Sequence, residues 1–149
     1  MTLTPDDERF LRLAIELSSF AKTRGEAPFG SLLVAADGAL LAQAHNSVLG
    51  DRDITAHPEL KLARWAAREL GPKLATTVTM YTSCEPCAMC AGAIDRSGIR
   101  RVVYALSSGQ LAGFKRPAGS PAVIAEGPAL LEEARAPVEE YYRTAHEHA

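Results

Sequence analysis

The sequence predicts an α/β protein, a three-layer α/β/α sandwich built around one mixed sheet. Three observations carry that reading. An Asp37-Gly38 pair separates two short apolar runs, 29–36 and 39–45, which is a strong hairpin signal. Beyond it, β-branched runs alternate with stretches of helical periodicity, so strands share a sheet whose faces are covered by helices. No repeat, low-complexity tract or linker divides the 149 residues, and residues 1–149 read as a single domain. A chain of that length buries roughly 70% of its unfolded surface without staples.

The elements follow in order. Thr4-Pro5-Asp6-Asp7 reads as an N-cap, a proline at the first helical position and an acidic first turn. Phe10, Leu13, Ala14, Leu17 and Ala21 continue that helix, and Gly25 terminates it. After the hairpin and a polar loop over 46–55, a second helix starts near His57. Leu60, Ala63, Ala67 and Leu70 form its apolar stripe, and Gly71-Pro72 stops it. Residues 77–82, Thr-Val-Thr-Met-Tyr-Thr, predict a buried strand. Pro86 opens a third helix carrying Cys87, Cys90 and Ile94, ending before Gly98. A strand is expected over 101–105, a Gly- and Pro-bearing loop over 107–121, and a short strand at 122–124. The tail reads as helical in two pieces broken at Pro137, because an interior proline removes a helix hydrogen bond.

Composition excludes several classes of function. The chain carries 16 basic and 18 acidic side chains for a formal charge of −2, poor material for neutralising a polyanion. Three cysteines do not make a disulfide framework and suit a reducing compartment. The first eight residues are acidic and lack the apolar core of a signal peptide, and no apolar run approaches the ~18 residues of a membrane span. A soluble, cytoplasmic protein is expected, with no membrane partner.

His57 and Glu59 stand at one predicted helix start, Cys87 and Cys90 at another. The Cys87-x-x-Cys90 spacing puts both sulfurs on one face of a first turn, where free N–H groups and the helix dipole favour thiolates. His57 supplies a third ligand as a neutral imidazole. Three protein ligands leave a fourth tetrahedral position for water, the catalytic arrangement of Zn2+. Glu59 lies too close to His57 for easy joint ligation but near enough to exchange protons with that water, which makes it the candidate acid/base. Pro58 between them sits in a first turn, where it costs no hydrogen bond. A closed Cys₃His site that also uses Cys84 is the structural alternative. It fits less well, because Cys84 belongs to a strand end before Pro86. A redox CxxC lacks thioredoxin-like surroundings.

The run Thr55-Ala56-His57-Pro58-Glu59, followed by Thr82-Ser83-Cys84-Glu85-Pro86-Cys87-Ala88-Met89-Cys90-Ala91-Gly92-Ala93-Ile94, resembles the zinc-dependent cytidine/deoxycytidylate deaminase superfamily. Within it, the chain is similar to the branch of guanine deaminases, fungal-type cytosine deaminases and bacterial tRNA adenosine deaminases. The H-x-E…P-C-x-x-C signature is that of zinc deaminases in general. The resemblance spans roughly residues 10–105. It implies a cytidine deaminase-like fold with a mixed five-stranded sheet and a homodimer. It also implies Zn2+ on His57, Cys87 and Cys90, with Glu59 as proton shuttle. It places backbone N–H groups of Cys84 and Glu85 toward the reacting oxygen, Asn46 on the substrate, Phe29 in the pocket wall and Phe114 over the ring. Residues 126–149 would be a carboxyl-terminal helical lid or packing element. Relatives mostly have alanine where this chain has Pro58, which predicts altered local rigidity.

Other residues have ordinary readings. His146 and His148 suit a solvated tail, His45 a strand end, and Trp65 the core or an interface. Val138, Tyr141 and Tyr142 form a helical apolar patch; packing is its plain reading, with a pocket role for it or for Glu139 or Glu140 left open. Asp53 suits loop capping or pocket shaping. From residue 110 onward four basic residues face six glutamates. The sequence therefore favours hydrolytic deamination of a free nucleobase or nucleoside of guanine or cytosine type. A tRNA adenosine deaminase is the alternative, with Arg96, Arg100 and Arg101 as a local basic patch. A non-enzymatic zinc scaffold is a more distant one.

Overall fold

The computed structural model describes residues 2–116, 119 and 121–144. His146 and His148, and the end of the predicted lid, lie outside the described residues. Residues 1–116 and 117–149 form two compact units. The first contains α1 (Pro5–Thr23), β1 (Gly30–Val34), β2 (Leu40–His45), α2 (Val48–Asp51), α3 (Pro58–Glu69) and α4 (Gly71–Ala75). It continues with β3 (Thr79–Cys84), α5 (Ala88–Ser97), β4 (Arg101–Leu106) and α6 (Ser108–Ala112).

The sheet is mixed, in the order β2-β1-β3-β4. β1 pairs antiparallel with both β2 and β3, and β3 pairs parallel with β4. Side chains alternate between its faces, as a period-two strand requires. Leu32, Val34, Tyr81 and Val103 face Phe10, Leu11 and Ala14 of α1. On the other face Leu33 and Met80 meet Leu62, Ala63 and Ala66 of α3 and Ile94 of α5. Helix, sheet and helix make the predicted three layers. Trp65 packs against this second core as expected.

The start of α1 is tied to the sheet by more than apolar contact. Thr4 and Asp7 form a reciprocal capping box, with Asp7 N–H to Thr4 Oγ1 at 3.1 Å and Thr4 N–H to Asp7 Oδ2 at 2.9 Å. The same buried carboxylate accepts Tyr81 Oη–H from β3 at 2.6 Å. Arg101 of β4 donates to both of its oxygens, at 3.2 and 3.0 Å. These donors, led by Arg101, hold the Asp7 carboxyl far below the ordinary carboxylate range. Close packing of β1 on α1 explains Gly30: a Cβ there would stand 2.5 Å from the Ala14 carbonyl oxygen.

Several expectations need correction. The buried stripe of α3 is Pro58, Glu59, Leu62, Ala63 and Ala66, whereas Ala67 is exposed. The helix begins with Glu59 turned inward, and that sets its phase. The polar loop over 46–55 contains the short α2, and α6 interrupts the loop after β4. Among the described residues the sheet has four strands rather than five. Residues 122–124 form no strand, since the five residues between Pro121 and the Gly127-Pro128 pair offer too little ladder.

In the second unit α7 (Leu131–Thr144) runs continuously through Pro137 instead of breaking there. Arg135 pairs with Glu132 before the proline and with Glu139 beyond it. Tyr141 and Tyr142 meet edge to face.

Candidate metal centre

The N-termini of α3 and α5 converge from one face of the sheet. His57 is the N-cap of α3, Cys87 the N-cap of α5, and Cys90 lies one turn further on. Their ligand atoms all stand within 4.8 Å of one another. His57 Nδ1 is 3.7 Å from Cys87 Sγ and 3.4 Å from Cys90 Sγ. In a tetrahedral zinc site with bonds of about 2.1 Å to nitrogen and 2.3 Å to sulfur, such donors stand about 3.6 Å apart. The cluster therefore fits Zn2+ in both spacing and donor chemistry. Cys84, at the end of β3, stands outside it, which removes the Cys₃His arrangement.

Burial dominates the electrostatics of the donors. Burial, then the charge of Lys115, holds His57 below its ordinary pKa, so the imidazole is neutral as a ligand must be. Burial, then the charges of Glu59 and Cys87, pushes the Cys90 thiol far above its usual range. A divalent cation between these donors reverses that balance, and binding it releases protons.

Glu59, 6% exposed, lines a cavity of about 70 Å³ together with Phe29, His57, Cys84, Glu85, Cys87, Leu111 and Lys115. Burial raises its carboxyl above the ordinary value. Phe29, Cys84 and Glu85 lie in the cavity wall, whereas the sequence reading assigns the Cys84 and Glu85 N–H groups to the reacting oxygen. The Glu85 N–H, however, donates to the Leu106 carbonyl at 2.8 Å and is engaged at the sheet edge, not turned toward a ligand. The Glu85 carboxylate accepts Ser108 N–H at 2.8 Å and fixes the start of α6.

Phe114 does not line the metal cavity. It is 80% exposed and borders an adjoining space of about 440 Å³ that shares Phe29, Cys84 and Leu111 with it. Asn46 is buried beside β1 rather than in the cavity wall, its Nδ2 donating to Ala27 O at 3.4 Å. Its Oδ1 is buried with no partner among the described residues.

Two residues escaped the sequence reading. Lys61, one turn beyond His57 on α3, donates to His45 O at 2.8 Å and Ser47 Oγ at 2.5 Å, clasping both neighbours of Asn46. Lys115 lines the metal cavity, and its only signal was its place beside Phe114. Asp53 caps its loop by accepting Thr55 N–H and Oγ1–H. His45 packs edge-on against Phe20, with no metal role.

Comparison with known proteins matches this arrangement. Residues 4–106 match the cytidine and deoxycytidylate deaminase zinc-binding region. A probable cytosine deaminase of Schizosaccharomyces pombe is 36% identical over 141 residues, covering 92% of this chain and 83% of the relative. A tRNA-specific adenosine deaminase of Buchnera aphidicola is 34% identical over 101 residues, covering 68% of this chain and 66% of that protein's length. The X-ray structure of guanine deaminase from Bacillus subtilis superposes with a TM-score of 0.77 at 31% identity, covering 94% of this chain and 96% of that one. The chain belongs to the cytidine and deoxycytidylate deaminase zinc-binding family.

Proposed function

We propose that the protein hydrolytically deaminates a free nucleobase or nucleoside of guanine or cytosine type, releasing ammonia. The observation that carries this reading is the buried Glu59 carboxylate opening into the same small cavity as His57 and Cys87. His57, Cys87 and Cys90 would hold the zinc, the two cysteines as thiolates. Zinc bound there supplies the Lewis acidity that makes water nucleophilic near neutral pH. Glu59 takes a proton from the attacking water and delivers it to the ring nitrogen, then to the departing amine. Its burial favours the protonated form, so it takes up the water's proton readily. Phe29 and Phe114 supply aromatic surface beside the ring.

The tRNA reading has less support from the surface. Arg101 is turned onto Asp7 and Arg100 pairs with Asp95, so two of the three arginines have carboxylate partners, while Arg96 donates to the Gly92 carbonyl and keeps its charge. Steep loss of tRNA affinity with salt would restore that reading.

The test is ammonia release from a panel of bases, nucleosides and tRNA by wild type and Glu59→Gln, with zinc measured by elemental analysis. Glu59→Gln retains zinc and releases no ammonia; normal turnover by it refutes the assignment. A homodimer belongs to the same proposal, and sedimentation equilibrium reads it directly.

A further inference from the structure

We infer that Lys115 reads an exocyclic carbonyl oxygen, so that the substrate is a neutral, oxo-substituted aminoheterocycle presented as the free base. The inference rests on the deaminase reading above. Of the residues lining the metal cavity, Lys115 is the cation; the others are the metal donors, two carboxylates and apolar groups. An ammonium carries three donors and no lone pair, so it selects an acceptor and rejects an amino group in the same place. Lys115 takes part in none of the ion pairs among the described residues. It shares the cavity lining with His57 of α3 and Cys84 of β3.

The backbone that carries it is held. Ser107 caps α6 with a reciprocal box to Gln110, and Ser108 N–H bonds to the Glu85 carboxylate. Gly113 and Phe114 N–H groups bond back to Gln110 and Leu111 carbonyls at 3.1 and 3.0 Å.

The same wall argues for a carbonyl rather than a phosphate. Glu59 and Glu85 both line the cavity, and carboxylates there disfavour a dianion. The adjoining 440 Å³ space contains no charged side chain in its lining, so a sugar phosphate reaching into it meets no cation. A carbonyl dipole needs none. An adenine-type ring lacks the oxygen altogether.

The experiment uses the full-length zinc protein as wild type, Lys115→Met and Lys115→Arg. Ammonia release is compared within ring pairs that differ in one oxygen, cytosine against 4-aminopyrimidine and guanine against 2-aminopurine, and for cytidine monophosphate. Calorimetric binding of cytosine and guanine to Glu59→Gln, with and without Lys115→Met, gives a readout independent of turnover. A hydrogen bond from a charged donor at a half-open site corresponds to about a tenfold effect. Lys115→Met should lower kcat/KM and affinity about tenfold for the oxo ring and leave its partner within about twofold, while Lys115→Arg restores most of the loss. An unchanged oxo preference, an equal loss for both rings, or a wild-type preference for the monophosphate overturns the inference. Absence of ammonia release from every base by wild type instead refutes the deaminase reading, and this inference falls with it.

Discussion

Replacing Asp7 with asparagine tests how the amino-terminal helix is fastened to the sheet. Each carboxylate oxygen accepts two donors: Oδ1 from Tyr81 and Arg101, Oδ2 from Thr4 N–H and Arg101. Asparagine keeps one oxygen, so in either orientation its amide group faces two donors and at least two bonds are lost. Hydrogen bonds to a charged group contribute ~1.5–3 kcal/mol each, less where water competes. The Arg101 side chain is 37% exposed, so its share is discounted. A loss of about 2–3 kcal/mol follows, lowering Tm by roughly 10 °C for a unit of this size.

The effect has a pH signature. Asp7 ionises more readily in the folded chain than in the unfolded one, where its value is about 3.8. Its contribution is therefore complete above that value and is lost as pH falls below it toward the folded value. Urea unfolding followed by circular dichroism should show the full gap between wild type and Asp7→Asn at pH 7. Below pH 3.8 the gap should narrow at a rate approaching about 1.4 kcal/mol per pH unit. A gap under ~0.5 kcal/mol at pH 7, or one that does not change with pH, refutes the network account.

Other perturbations probe the centre and its supports. Lys61→Met should cost about 1–2 kcal/mol in urea unfolding with zinc content unchanged, because both hydrogen bonds to the neighbours of Asn46 are lost; a loss under ~0.5 kcal/mol contradicts that role, and partial rescue by Lys61→Arg supports it. Gly30→Ala drives a methyl into the α1 backbone and should cost about 2–3 kcal/mol in urea unfolding; a loss within ~0.5 kcal/mol would show that α1 shifts freely. Chelation should abolish ammonia release and lower Tm, with both restored by added zinc; by mass action, zinc at a hundred times its Kd adds about 2.7 kcal/mol. A Tm insensitive to chelator would mean that the three donors do not hold the metal.

Where neighbours in sequence are neighbours in space, the sequence was readable. Thr4 and Asp7 declared a cap, Asp37-Gly38 declared a hairpin, and the two short motifs declared the donors that the helix N-termini bring together. Long-range pairing was not readable. Tyr81 and Arg101 lie 74 and 94 residues from Asp7, and nothing local marks either as its partner. The stripe of α3 was misphased because Glu59, a polar residue, occupies an inward position. Pro137 misled because propensity describes an isolated helix, whereas ion pairs on both sides of the proline support this one. Lys115 went unnoticed since an exposed lysine in a loop is ordinary until the cavity beside it is seen.

The separation between donors anchored at helix starts and the exposed turn at 113–115 bears on how such a protein changes over evolutionary time. Metal donors at helix starts inherit their positions from the packed core, and substitution there is paid for in stability. Phe114 and Lys115 belong to a turn that the core does not constrain. Mutations in that turn can retune ring preference while leaving the metal cluster unaltered. A library randomised at 113–115 should accordingly keep full zinc stoichiometry while its members diverge in the bases they accept.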